Sequence, residues 1–134
     1  MITNEMAIKA IEASEKKAKE LGQNVTTAVV DEYGELIALS RMDDALKVSP
    51  NFASAKALTS ASFGMPSGDL AGFAVDGKPY FGLNTAFAGK FMLIAGGIPV
   101  KNGGKVVGAV GVGGSLDVSQ DAECAKAAAQ ILEK

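Results

Sequence analysis

The chain has 134 residues, 48% of them apolar and 21% charged, with a formal net charge of −2. This is the composition of one globular domain spanning 1–134 rather than of a disordered chain. A single arginine without a Lys/Arg cluster excludes the usual nucleic-acid footprint, no apolar run reaches membrane-spanning length, and the absence of histidine removes Ser-His-Asp and Cys-His catalysis. The lone Cys124 leaves no internal disulfide and no zinc site of the usual kind. Lacking the basic-then-apolar order of a signal peptide at its N-terminus, the chain is expected in the cytoplasm.

From Thr3 to Leu21, Ala7, Ile11, Ala18 and Leu21 recur at helical spacing, with Glu12–Lys16 and Glu15–Lys19 as i, i+4 pairs on the wet side. Thr3 is the expected N-cap and Gly22 the stop. The runs 25–31 and 36–42 read as strands joined by EYGE, a hairpin in which Gly34 supplies a positive φ. Ser49 as N-cap and Pro50 in the first turn predict a helix over 50–62, with a stripe of Ala53, Ala57 and Ala61 that permits close approach.

Gly, Pro and Asp punctuate 64–90, which leaves room only for short helices near 67–73 and 79–87. FMLIA (91–95) reads as a strand, and 96–114 as a hairpin turning at Asn102-Gly103. A closing helix over 119–133 places Asp121 and Glu123 in its first turn, where the dipole favours them. Strands that arrive in hairpins point to an antiparallel sheet covered by helices.

The glycines of 96–114 do not form a phosphate loop. Gly111 and Gly113 begin a G-x-G-x-x-G pattern whose third position is Leu116, and the nearest Walker-like stretch, GFAVDGKP at 72–79, has Pro79 where a hydroxyl is needed. Glycine inside a strand marks close approach of another body. Spacing alone leaves open whether that body is an alanine-rich helix or a flat ligand.

The stretches VVDEYGELIALSRMDDA (29–45), SAKALTSA (54–61), GGIPV (96–100) and GKVVGAVGVGG (104–114), followed by Asp121, together resemble the GlcG/HbpS-like family, which includes the C-terminal domain of PduO. The resemblance implies an α+β fold, profilin-like or PAS-like, with a five-stranded antiparallel sheet flanked by helices and assembled as homo-oligomers. It also implies a small-molecule ligand: a tetrapyrrole, haem or corrinoid, or a small carboxylate. The alternative it leaves is an enzyme or accessory subunit in organic-acid, diol or cobalamin metabolism. Where members commonly end the last strand with GVSG, this chain has Gly111, Val112, Gly113 and Gly114, without the serine hydroxyl.

The candidate ligand-binding residues are Arg41, Asp43, Lys56, Gly96, Gly97 and Pro99. Arg41 offers a planar fork for a carboxylate, or else an internal ion pair to Asp43 or another acid. Lys56 stands in a small-residue helix, either to meet an anion or work as a base, or to snorkel to a surface acid. Asp43 is a candidate base or a turn residue. The Gly96-Gly97-Ile98-Pro99 stretch is expected as a turn that presents N–H groups to an anion. With no histidine, haem iron would need a residue such as Met42, Met65, Met92, Tyr33, Tyr80, Lys56 or Cys124, or the macrocycle would sit without a strong protein ligand.

Overall fold

The computed structural model describes residues 1–133. Helix α1 (Asn4–Glu20) is capped by Thr3, whose Oγ1 accepts the Met6 N–H at 3.1 Å. Strands β1 (Thr26–Asp31) and β2 (Leu36–Arg41) form the first hairpin, turning through Gly34 at φ 82°. Helix α2 (Ser49–Phe63) follows and ends on Gly64 in the left-handed conformation. The segment 64–95 contains 3₁₀ turns at Ser67–Phe73, Leu83–Thr85 and Phe87–Gly89. Strands β3 (Gly97–Asn102) and β4 (Lys105–Gly113) form the second hairpin, and α3 (Val118–Leu132) closes the chain. Among the described residues no helix is long and apolar enough to cross a membrane.

The sheet is antiparallel with four strands in the order β2-β1-β4-β3. This corrects the expected five-stranded, profilin-like or PAS-like sheet. The expected fifth strand, 91–95, is not a strand, because side chains satisfy its backbone. Met92 N–H donates to Thr59 Oγ1 at 2.9 Å, and the Ile94 carbonyl accepts from Ser67 Oγ at 2.6 Å. Three further expectations shift. Residues 97–99 belong to β3 rather than to a turn. The second hairpin turns at Gly103 and Gly104, φ 61° and 78°, one residue beyond Asn102-Gly103. Ser49 does not cap α2; its buried hydroxyl donates to the Leu46 carbonyl at 2.6 Å and pairs with Thr26 Oγ1 at 2.7 Å.

The two faces of the sheet are built differently. Toward α1 and α3, Val29, Val100, Val110 and Val112 pack on Ala10, Ile11, Cys124, Ala128 and Leu132. Toward α2 the layer is small: Ala28, Val30 and Ala109 against Ala53, Ala57 and Ala61. A methyl group added at Gly111 would fall on the Ala53 carbonyl and the Ala57 nitrogen, and one at Gly97 on the Lys56 carbonyl. The body that Gly97 and Gly111 admit is therefore the backbone of α2, whereas Gly108 lies against the Val30 carbonyl and Ile2.

Candidate functional site

Lys56 projects from α2 at the margin of this close seam. A Cβ at Gly96 would meet its Cδ and Nζ at 2.8 Å, so glycine there is the space the lysine stem passes through. Its ammonium donates to the Val112 carbonyl at 3.0 Å and to Asp121 Oδ2 at 3.3 Å, with the Phe52 ring centroid 5.9 Å away. The other Asp121 oxygen accepts the Ser115 N–H at 3.0 Å. Both side chains are 1% exposed. Burial pushes Lys56 below the usual lysine range and Asp121 above the usual carboxylate range, and their mutual attraction and hydrogen bond oppose both shifts. Lys56 thus snorkels to a buried acid on another helix, and the pair ties α2 to α3 past the end of β4.

Gly96 and Gly97 sit beside the pair, with their polar groups engaged. The Gly97 N–H donates to Ser67 Oγ at 2.8 Å, and the Gly96 carbonyl accepts from Val112 N–H at 2.9 Å. They line a recess of about 260 Å³ with Pro66, Asp69, Ala95 and Lys126. Pro99 lies further along β3, paired with Ala109.

Arg41 and Asp43 belong elsewhere. Arg41 ends β2, and β2 and β3 are the two edges of the sheet, so about three strand spacings, roughly 14 Å, separate Arg41 from Gly97. The exposed guanidinium donates to the Ala45 carbonyl at 3.2 Å, and among the described residues it forms no ion pair with Asp43 or another acid. With Met42, Asp43 and Asp44 it borders an open polar hollow. The six sequence candidates therefore do not converge: Lys56, Gly96 and Gly97 are buried together, Pro99 lies half-buried further along β3, and Arg41 and Asp43 are exposed by the β2 edge.

A third place escaped the sequence reading. The outer side of α2 and residues 89–92 enclose a largely apolar groove of about 410 Å³, lined by Phe52, Ala55, Leu58 and Met92, with Asn51 and Lys90 among its polar residues. Thr59 pins Met92, and Phe91 stacks on Phe87 (5.2 Å between centroids) and meets Phe63 edge-on. Lys90 lies over the Phe87 ring, 5.1 Å from its centroid. Only Met92 had been singled out here, as a sulfur donor; no periodicity in 64–92 shows that the segment folds back onto α2. Apolar walls, a thioether and a cation suit a flat amphipathic ligand that bears carboxylates, so the residues fit a haem-like group. Among the described residues no cluster of three or more His, Cys, Asp or Glu could hold a bare metal ion.

Comparison with known proteins agrees on one relationship. Residues 2–130 match the family described as haem degrading protein HbpS-like. Protein GlcG of Escherichia coli K12 is 36% identical over 114 residues, covering 84% of this chain and 81% of that protein. The crystal structure of Klebsiella pneumoniae ORFY superposes with a TM-score of 0.93 at 32% identity, over 97% of this chain and 89% of that one. The PduOC:heme complex superposes with a TM-score of 0.87 at 28% identity, over 93% and 91%.

Proposed function

The chain belongs to the HbpS-like family, and on that premise we propose that it is a small-ligand-binding protein whose ligand is a tetrapyrrole held in the groove between α2 and residues 89–92. The observation that carries this reading is the groove itself: an apolar slot with a thioether donor and one lysine, in a fold shared with a haem complex. Phe52, Ala55 and Leu58 would contact the macrocycle, Met92 would face the metal, and Lys90 would pair with a peripheral carboxylate. Bound haem supplies redox and axial-ligand chemistry at its iron; the chain supplies an apolar wall that excludes water and a cation that orients the ring.

A corrinoid is the second ligand of the same chemical kind. The enzyme reading, with Lys56 or Asp43 as acid or base, finds less support. The buried Lys56 ammonium is held by the Val112 carbonyl and Asp121, and Asp43 stands in an open hollow. Lys56, Gly96 and Gly97 are better understood as the frame that fixes α2. The same reading makes the protein a single-domain, cytoplasmic homo-oligomer.

Titration of the apo-protein with haemin, followed in the Soret band, tests the groove. The expected result is a saturable, stoichiometric shift, weakened at least about tenfold by Ala55→Trp, which fills the slot, and altered in position by Met92→Leu. Arg41→Ala, at the far edge of the sheet, should leave the titration unchanged. The absence of a saturable shift, or indifference to Ala55→Trp, would overturn the assignment.

A further inference from the structure

The two walls of the groove are of different kinds. Phe52, Ala55 and Leu58 stand on α2, whose backbone is pressed against the sheet at Gly97 and Gly111. Facing them, Gly89 and Lys90 end a segment, 71–90, in which no residue is buried. We propose that residues 71–90 form a lid, which swings about Phe87–Gly89 to admit the tetrapyrrole and closes with Lys90 against it. The lid rests on the ligand reading above and adds how the groove is entered.

The size of the groove requires one wall to move. At about 410 Å³ it lies near the lower end of the roughly 300–1,000 Å³ that ligand pockets span, and a tetrapyrrole with its side groups exceeds a typical drug-sized ligand. Helix α2 cannot retreat, because Gly97 and Gly111 already lie against its main chain. The opposite wall must give way instead.

That wall is attached in a manner that permits it. At the base of the segment, Ser67 Oγ donates to the Ile94 carbonyl at 2.6 Å and accepts the Gly97 N–H at 2.8 Å, while Leu70 is buried. At the far end Met92 N–H is held by Thr59. Between these anchors, among the described residues, the backbone hydrogen bonds of 74–90 stay within 71–90. The ring contacts that fasten the segment to α2 run through Phe63, which meets Tyr80 at 6.4 Å and Phe91 at 5.2 Å, with Phe91 stacked on Phe87. Phe63 is thus the latch, and a segment closed at its base opens as a unit while both anchors hold.

The hinge is visible in the backbone. Phe87, Ala88 and Gly89 are three successive left-handed residues, with φ of 54°, 56° and 72°. The first two carry a Cβ and hold that conformation at a cost in free energy. They stand where the exposed segment meets the anchored residues 91–92, so rotation there relieves the strain as the lid opens. Backbone strain therefore favours opening, and contacts with a bound ring favour closing.

Hydrogen exchange of the full chain with and without haemin, and stopped-flow association of haemin followed in the Soret band, test the lid on wild type, Gly89→Ala and Phe63→Leu. A methyl group at Gly89 meets nothing nearer than the Asn84 carbonyl oxygen at 3.9 Å, so this substitution strains only the closed backbone. In the free wild type, amides of 80–90 should exchange faster than those of α2, and bound haemin should slow them at least about tenfold. Gly89→Ala should speed their exchange in the free protein about five- to thirtyfold and raise the haemin association rate, with exchange in the sheet unchanged. Phe63→Leu should act in the same direction. Saturable haemin binding that leaves exchange of 80–90 unaltered, or an association rate that neither variant changes, would overturn the lid and leave the groove standing. No saturable Soret shift would overturn both.

Discussion

Removing the Asp121 carboxylate should be among the most damaging single changes to this fold. In Asp121→Ala the Lys56 ammonium keeps the Val112 carbonyl and the distant Phe52 ring but loses its counter-charge. At the 3.3 Å separation and an effective dielectric constant of 20, the lost attraction is about 5 kcal/mol. Breaking one side of a buried pair ordinarily costs about 3–5 kcal/mol, so a loss of about 4 kcal/mol is expected. For a chain of this size that lowers Tm by roughly 12–16 °C. Urea unfolding of wild type, Asp121→Ala, Lys56→Met and Lys56→Met/Asp121→Leu gives the full cycle.

The double variant should recover most of the loss and equal or exceed wild type near neutral pH, because neither charge is then desolvated. The pH dependence follows from the two shifts. Asp121, held above its unfolded value, contributes stability at acid pH that is lost as pH rises through its folded pKa. Lys56, held below its unfolded value, contributes at alkaline pH, and this is lost as pH falls through its folded pKa. The advantage of the double variant over wild type should therefore shrink toward both extremes. If Asp121→Ala costs less than about 1 kcal/mol, or if the double variant is as unstable as the two single losses combined, the buried-pair argument fails.

Two further outcomes follow from packing. Gly111→Ala places a methyl group against backbone atoms of α2 and should destabilise by about 2–3 kcal/mol in urea titration; a change below about 0.5 kcal/mol would mean the seam is looser than described. Cys124 is buried, and burial pushes its thiol up to about 11, so a thiol reagent at neutral pH should label it at the rate of global or local opening and immediately in denaturant. Prompt labelling of the native protein would contradict that burial.

The legible parts of the fold were those with local causes. Thr3 caps α1, Gly22 follows its end at φ 71°, and Ser67–Phe73 forms a short helix in the stretch that Gly, Pro and Asp punctuate. The failures were tertiary. Phe91–Ala95 looks like a strand because it is apolar, yet Phe91 packs edge-on against Phe63 of α2, and the Met92 N–H and Ile94 carbonyl meet Thr59 and Ser67. Ser49 precedes a proline as an N-cap would, but Thr26, distant in sequence, claims its hydroxyl. Lys56 stands out in the sequence as a lysine among small residues, and the structure engages it internally. Its partner lies 65 positions away, on a helix where Asp121 looked like an ordinary first-turn acid. Arg41 and Lys56 seemed to belong to one site because nothing in the sequence states the strand order, and that order puts Arg41 on the β2 edge while the Lys56 ammonium meets Val112 on β4, two strands away.

The seam between α2 and the sheet also constrains how the sequence can drift. At Gly34 an added methyl group would collide with the end of a side chain, Leu58; a smaller residue at 58 would relieve that collision, leaving only the strain of a Cβ at φ 82°. At Gly97 and Gly111 the obstacle includes the main chain of α2 itself, which no substitution elsewhere can shorten. The collision at the first position can be relieved by a second change; at the other two relief requires the whole helix to withdraw, which would also pull Lys56 away from Asp121. These glycines are thus dead ends for stepwise change, and their isolation comes from backbone geometry rather than from any chemistry they perform.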